Sequence, residues 1–212
     1  MERLAAEPIG ACIDIFEIST LTGFEWLCPE WIALWERTPQ AGPFQHPDWL
    51  LPWWRHIGRG ELIVRAICDC GELAAVAPFY VYSNEETGAR QLTLIGNGIT
   101  DTCDILVDRS RADVLGILKE QLSSSAAKGA WNTYDFRDIP EHSPLIPIME
   151  GLDGAAAVDD EPRVVVPLEK WKNNENDALP AKIRADLRRR RKRAEEIGEL
   201  RSAFSGLVCR SR

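Results

Sequence analysis

Two long apolar stretches that meet at a cysteine–glycine pair constrain this 212-residue chain most strongly. Residues 61–70 (ELIVRAICDC) and 73–82 (LAAVAPFYVY) are rich in β-branched and apolar side chains, and Gly71 lies between them. Runs of this kind, separated by a short glycine-containing turn, are typical of an antiparallel hairpin. Two shorter runs follow at 90–96 and 103–107, each behind a turn signal. The middle of the chain therefore predicts a sheet.

Helical spacing precedes and follows these strands along the sequence. Trp31, Leu34 and Trp35 recur at the i, i+3, i+4 spacing of a buried helix face, and Pro29 suits the first turn of a helix at about 29–37. The other predicted helices cover about 47–57, 111–128, 143–152 and 181–198, and further strands are predicted at 11–18, 131–139, 162–168 and 199–208. This order predicts an α+β fold with a mixed, mostly antiparallel sheet flanked by helices.

The segment 43–58 (PFQHPDWLLPWWRHIG) carries three tryptophans within six residues. Pro47 can open a helix there, and Pro52 should kink that helix or keep it short. The tryptophans indicate core packing, with an aromatic ligand wall as the alternative. His46, directly before Pro47, is interpreted as a capping or surface residue rather than a catalytic base.

Charge is distributed unevenly along the chain. Residues 1–180 contain 14 Lys/Arg and 29 Asp/Glu, a net −15, whereas residues 181–212 contain 11 and 4, a net +7; the sum is −8. A net charge of −15 on residues 1–180 repels phosphate, so nucleic acid is disfavoured as a partner unless the basic tail acts alone.

The longest apolar runs fall far short of the roughly 20 residues of a membrane-spanning helix. The amino terminus does not resemble a secretory signal, so a cytoplasmic location is expected.

The residues for metal or nucleophilic chemistry are poorly arranged in this sequence. The six cysteines form no C-x-x-C pair and are expected to be free thiols, with a disulfide or zinc as the weaker alternatives. The three histidines lack metal-ligand spacing, and no G-x-S-x-G string is present. We expect no metal.

Two carboxylates and two glycine strings are the remaining candidates for a site. Asp101 and Asp104 stand at a strand entrance after a glycine-rich turn, where they either bond to their own turn or bind a substrate amine. An acyl-CoA loop, Q/R-x-x-G-x-G/A, follows a strand and opens a helix, because bare backbone N–H groups must face the phosphates. Residues 55–60 (RHIGRG) match the string but follow a predicted helix, and 93–98 (TLIGNG) lead into a strand. The first is interpreted as a coincidence, and the second also begins with Thr, so neither string has the context of an acyl-CoA loop.

Taken together, the motifs resemble the acetyltransferase family linked to cellulose biosynthesis (CelD/BcsL-like), within the GNAT superfamily. The matching pieces are Glu30-Trp31 with Leu34-Trp35, Phe44 to Trp49 with Trp53-Trp54, Gly71 with Pro78, Gly96 with Asp101 and Asp104, Trp131 to Asp135, Pro140 with Ser143-Pro144, and Lys182 to Arg184 leading to the arginine run and Gly198. They span nearly the whole chain.

The resemblance implies an N-acyltransferase that uses acetyl-CoA or another acyl-CoA and an amine acceptor. It implies a GNAT-like domain at 1–178 and, at 179–212, a basic bridging helix with the start of a second GNAT-like half that is otherwise missing. The chain is thus expected to be a truncated, inactive form, or alternatively a binding domain that pairs with a transferase half. Under this resemblance the acceptor side is lined by Gln45, Trp49, Asp101 and Asp104, and a phosphate is faced by Arg184 and Arg188.

The arginine run 188–193 leaves three interpretations open. The segment 184–198 (RADLRRRRKRAEEIG) can be a solvated, salt-bridged helix, because a turn of arginines beside an acidic body can pair with it. It can also position an anionic substrate or a cofactor phosphate. Binding of nucleic acid is the least favoured, because no aromatic residues interleave the basic ones.

Overall fold

The computed structural model describes residues 2–4, 12–111, 113–152, 158 and 180–197. The chain forms two compact units, residues 1–159 and 160–212. The predicted boundary at 178/179 stays a prediction, and the predicted strands at 162–168 and 199–208, together with Gly198 and Cys209, lie outside the described residues.

The first unit is built on a single sheet. Its strands are β1 (Glu2–Leu4), β2 (Ile13–Ile18), β3 (Glu61–Asp69), β4 (Glu72–Ser83), β5 (Arg90–Leu94), β6 (Leu106–Val107) and β7 (Thr133–Tyr134). Neighbours follow the order β1-β2-β3-β4-β5-β7, and β6 pairs with β4. Within the described ranges every pairing is antiparallel except that of β5 with β7. The predicted α+β class with a mostly antiparallel mixed sheet is confirmed.

The predicted hairpin is confirmed as β3 and β4. Asp69 pairs with Glu72, and the two residues between them, Cys70 and Gly71, have φ angles of 47° and 87°. Positive φ at both central positions is the requirement of the type I′ turn that joins twisted strands most tightly. The turn therefore sets the β3–β4 register, apart from an irregularity between Ile67 and Cys68.

Helices cover both faces of the sheet. They are α1 (Leu21–Glu36), α2 (Pro47–His56), α3 (Val114–Ala127) and α4 (Leu145–Glu150), and α5 (Ala181–Ile197) lies in the second unit. One core contains residues of α1 and α2 with Leu62 and Val64 of β3, and the other contains residues of α3 and α4 with Ile63 and Ile67. Because both faces are buried, β3 and β4 are almost continuously apolar rather than alternating.

The first helix begins earlier than its sequence pattern predicts. Thr20 caps α1 by accepting a hydrogen bond from the Gly23 amide at 3.1 Å, so Pro29 lies inside the helix rather than in its first turn. Pro29 is exposed. A carbonyl deprived of its amide partner by proline can bond to water where the helix surface is accessible, which reduces the cost of an interior proline.

The predicted strand 131–139 is reduced to the two residues of β7, and the strand 103–107 to the two residues of β6. The last ladder bond beside β7 joins the Asp135 amide to the Leu92 carbonyl at 3.0 Å. Beyond it β5 ends at Leu94, so residues 136–139 have no neighbouring strand to pair with among the described residues. Strand length here is set by the partner and not by propensity.

Candidate functional site

The chain leaves the sheet after β5 and returns to it at β6, and we call the intervening residues 95–105 the excursion loop. Its entry is fixed by the Ile95 amide, which donates to the Pro78 carbonyl at 2.8 Å. Gly96 has a φ of 106°, and a Cβ there would lie 2.6 Å from Thr100 Oγ1. The glycine-rich turn seen in the sequence is therefore required by this reversal of the chain.

Helix α2 and the residues before it hold one side of the excursion loop. Trp49 Nε1 donates to Thr100 Oγ1 at 3.0 Å, and Gln45 Nε2 donates to the Ile105 carbonyl at 3.0 Å. Gln45 Oε1 also accepts from the Gly42 amide at 2.8 Å. Gln45 thus bonds to backbone at both ends of its amide, and what it does in the structure is position the loop.

Asp104 is a second anchor at the end of the loop that Gln45 also holds. Its Oδ1 accepts from Ser143 Oγ at 2.5 Å and from the Ile105 amide at 2.8 Å. Burial raises the pKa of Asp104 to about 6, although the bonds from Ser143 and Ile105 and the nearby His142 act in the opposite direction. Ser143 Oγ in turn accepts from the Leu145 amide at 3.0 Å, so the contact reaches the start of α4.

Four residues at or near the Trp49–Thr100 bond form a surface that we call the aromatic–acidic surface. They are Phe44, Trp49, Ile99 and Asp101. The rings of Phe44 and Trp49 meet edge to face with centroids 5.2 Å apart. Trp49 is 39% exposed, Ile99 is 59% exposed, and Asp101 is exposed as well. Ile99 and Asp101 adjoin Thr100 in the chain, so the Trp49–Thr100 bond brings the indole to the part of the loop that carries both of them.

Two of the predicted acceptor residues, Trp49 and Asp101, are therefore on one surface, and the other two, Gln45 and Asp104, anchor the loop that carries it. Sequence reasoning missed Thr100, Ser143 and Phe44 as parts of this arrangement. The Ser143-Pro144 pair ahead of an apolar run is a helix-start signal that could have revealed Ser143. No sequence signal indicates the contact of Thr100 with α2.

The tryptophans of 49–54 have different surroundings. Trp53 is 5% exposed and lies in the core, as the packing interpretation predicts. Trp54 instead lines an open cavity of about 390 Å³ together with Glu17 and Glu61, among others.

His46 caps α2 as predicted, since its Nδ1 accepts from the Asp48 amide at 3.1 Å.

The start of α3 is where a phosphate cradle would be expected, because α3 is the helix that follows β6. Residues 108–113 contain no glycine. Ser110 and Arg111 respectively lower the pKa of Asp108 and of Asp113, which keeps both carboxylates ionised at neutral pH. Arg111 is in turn ion-paired with Asp69 and, at 2.9 Å, with Asp113. Two ionised carboxylates and no glycine therefore lie directly ahead of α3, and these residues do not fit a phosphate.

The two glycine strings of the sequence form no cradle either. Residues 55–60 connect α2 to β3, and Gly60 is the last residue before that strand. A Cβ at Gly60 would lie 2.1 Å from the Val81 carbonyl oxygen, so the glycine allows β3 and β4 to approach closely. Residues 93–98 enter the excursion loop and not a helix. Neither string lies between a strand and a helix, so the missing acyl-CoA context predicted for both is confirmed by their position.

Helix α5 of the second unit confirms the predicted helix over 181–197. Asp186 is bridged by Arg189 at 2.5 Å and by Arg190 at 2.7 Å, and Arg191 bonds Glu195 at 3.0 Å. These pairs are those of a solvated, salt-bridged helix. Arg188 is exposed, and the predicted role of Arg184 and Arg188 in binding a phosphate stays a prediction.

Metal-binding and membrane-spanning features are both absent from the described residues. They hold no group of three or more histidine, cysteine or acidic side chains arranged to bind a metal ion. Within the same ranges, no helix combines the length and the apolar character required to cross a lipid bilayer.

Comparison with known proteins gave structural likenesses alone. No protein-family model matches the sequence, and no curated protein matches it. Among solved structures, the ribosomal-protein-alanine N-acetyltransferase of Brucella melitensis biovar Abortus 2308 is 20% identical, with a TM-score of 0.45 over 73% of this chain and 98% of that one. An aminoglycoside acetyltransferase from an uncultured soil metagenomic sample is 13% identical, with a TM-score of 0.48 over 72% and 98%.

A third structure, the aminoglycoside N-acetyltransferase AAC(6′)-Iy in complex with CoA, is 15% identical, with a TM-score of 0.44 over 74% of this chain and 99% of that one. All three similar structures are acetyltransferases. At these identities and scores the likeness assigns neither a family nor a ligand to this chain.

Proposed function

We propose that this chain is the acceptor-binding part of an N-acyltransferase and that it binds an organic amine on the aromatic–acidic surface. The observation that carries the proposal is the bond from the Trp49 indole to Thr100, which directly precedes the exposed Asp101 on a loop anchored at both ends. An indole face attracts a cation, and a carboxylate adds a charge-assisted hydrogen bond to an ammonium group. The resemblance to the cellulose-biosynthesis acetyltransferase family supports an amine acceptor.

Transfer of an acyl group to such an amine needs orientation more than covalent chemistry. The neutral amine nitrogen forms a bond to the thioester carbonyl carbon, and the carbon–sulfur bond breaks to release a thiolate. A base takes the proton that the nitrogen loses, and the thiolate takes up a proton to leave as the thiol. Holding the acceptor in one orientation supplies a large part of such an acceleration. The anchoring of the excursion loop by Gln45 and Asp104 supports this positioning role.

The acyl donor is proposed to be bound mainly outside the described residues. The start of α3 carries ionised carboxylates in place of a phosphate cradle, so the first unit contributes no donor site there. Arg184 and Arg188 are the residues proposed to face a donor phosphate, and a second GNAT-like half is proposed as the partner that completes the enzyme. Without that partner, the chain is proposed to be an inactive domain or one that pairs with a transferase half. The alternative, that the chain is a complete enzyme, predicts tight binding of acetyl-CoA.

Calorimetric titration of the full chain with glucosamine and with N-acetylglucosamine tests the acceptor site. We expect saturable binding of glucosamine and binding of the neutral analogue that is weaker by about tenfold or more, because only the ammonium group pairs with Asp101 and Trp49. The Asp101→Asn substitution should weaken glucosamine binding about tenfold, the effect of losing one charge-assisted bond. Glu85→Gln removes the same charge from an exposed turn and should leave binding unchanged.

Equal binding of the two sugars, or equal effects of the two substitutions, would contradict an acceptor site on the aromatic–acidic surface. Acetyl-CoA added to the same protein should give no saturable heat. A dissociation constant in the micromolar range for acetyl-CoA would instead support the complete-enzyme alternative.

A further inference from the structure

Cys12 and Cys70 lie opposite each other where β2 meets the β3–β4 hairpin. The Cys70 amide donates to the Cys12 carbonyl at 2.8 Å, which continues the register that pairs Ile13 with Asp69. Both cysteines are exposed free thiols. Cys70, with a φ of 47°, is the first residue of the turn just past the ladder, and opposite Cα atoms of an antiparallel ladder lie about 4.5–5.5 Å apart. A disulfide spans about 4.4–6.8 Å between Cα atoms, so the backbone places this pair within reach.

We propose that Cys12 and Cys70 are a redox modification site that closes to a disulfide on exposure to a small-molecule disulfide such as oxidised glutathione. One thiolate of the pair attacks a sulfur of the oxidant, which forms a mixed disulfide and releases one glutathione thiolate. The second protein thiolate then displaces the bound glutathione. Two electrons pass from the protein to the oxidant, and the two protein protons end on the two glutathione thiols.

The other described cysteines are placed less favourably for this chemistry. Burial raises the pKa of Cys28 and of Cys68, which lowers the fraction of reactive thiolate at each. Cys28 Sγ also donates to the Phe24 carbonyl within its own helix. Cys103 is only 2% exposed. Exposure and juxtaposition therefore coincide at Cys12 and Cys70.

The bridge would tie the start of β2 to the turn between β3 and β4. Asp69, next to Cys70 in the chain, forms the ion pair with Arg111 ahead of α3. Closing the disulfide removes conformational freedom from the unfolded chain between the two cysteines, so the oxidised protein should melt at a temperature higher by roughly 5–10 °C.

Oxidation of the full chain carrying Cys209→Ser tests this site, because that change removes the one cysteine outside the described residues. After incubation with oxidised glutathione, the intact mass should fall by about two hydrogens, the change expected for one internal disulfide. A non-reducing peptide map should show the segment containing Cys12 joined to the segment containing Cys70, and dithiothreitol should reverse both changes.

Single substitutions separate this pairing from other thiol chemistry. The Cys68→Ser protein should still form the bridge. The Cys12→Ser and Cys70→Ser proteins should each stop at one stable glutathione adduct, on the cysteine that remains of the pair. Stable glutathione adducts on both cysteines of the parent protein, a bridge to any other cysteine, or an unchanged mass would each overturn the proposal.

Discussion

Replacing Glu17 by glutamine should lower the free energy of unfolding by about 3 kcal/mol. The reason is Arg65, which contacts α3 with its side chain only 4% exposed and is paired with Glu17 at 2.7 Å. Desolvation lowers the pKa of Arg65, and the Glu17 charge opposes that shift. Without the carboxylate, the guanidinium stays buried with one neutral contact, Ser125 Oγ at 3.0 Å, and its Nε has no hydrogen-bond partner among the described residues.

The matched control is Glu61→Gln on the neighbouring strand. Glu61 binds Arg90 through two hydrogen bonds of 2.8 and 2.9 Å, but its side chain is 59% exposed. An exposed ion pair contributes about 0–1 kcal/mol to stability. The Glu61→Gln substitution should therefore lower the free energy of unfolding far less than Glu17→Gln, although the Glu61–Arg90 pair has two hydrogen bonds. Urea unfolding of both variants measures the difference. Equal losses would show that burial of Arg65 does not decide the energy of the Glu17 pair.

Asp104→Asn should stabilise the protein at pH 7 by about 2–3 kcal/mol and remove one component of its pH dependence. Burial raises the pKa of Asp104 from 3.8 to about 6, so the folded state holds this proton more tightly than the unfolded state does. The resulting stability is fully present below a pH of 3.8 and is lost as the pH rises through the folded-state pKa of about 6. The difference between these two pKa values corresponds to about 3 kcal/mol, and the partial exposure of Asp104 reduces that figure.

The measurement is the difference in unfolding free energy between the Asp104→Asn protein and the parent across a pH range of about 3.5–8. In this difference the contributions of the other carboxylates cancel, because both proteins contain them. Asparagine keeps an oxygen that can accept from Ser143 and from the Ile105 amide, so the loop anchor is retained. The difference should grow between about pH 4 and about 6.5 in favour of the substituted protein and stay level above that. Parallel curves over the whole range would show that Asp104 is not held in a desolvated site.

Several parts of this arrangement follow from local chemistry and were predictable. The type I′ turn at Cys70-Gly71, the cap of α2 by His46 and the intrahelical ion pairs of α5 depend on residues within a few positions of one another. The candidate residues Trp49 and Asp101 could be selected from the sequence, because a tryptophan-rich helix and a glycine-rich turn are visible there. That Trp49 and this turn meet could not be predicted, because the Trp49–Thr100 bond joins residues 51 positions apart.

The fold class, the order of most helices and strands and the excess of positive charge after residue 180 follow from the amino-acid sequence, because periodicity, turn residues and charge act locally. Three other features required the folded chain: the burial of Arg65 against Glu17, the end of β7 where β5 leaves the sheet, and the ion pair of Arg111 with Asp69 ahead of α3. Each of these depends on which distant segment lies alongside, and that is set by the shared burial of apolar faces rather than by the residues next in the chain.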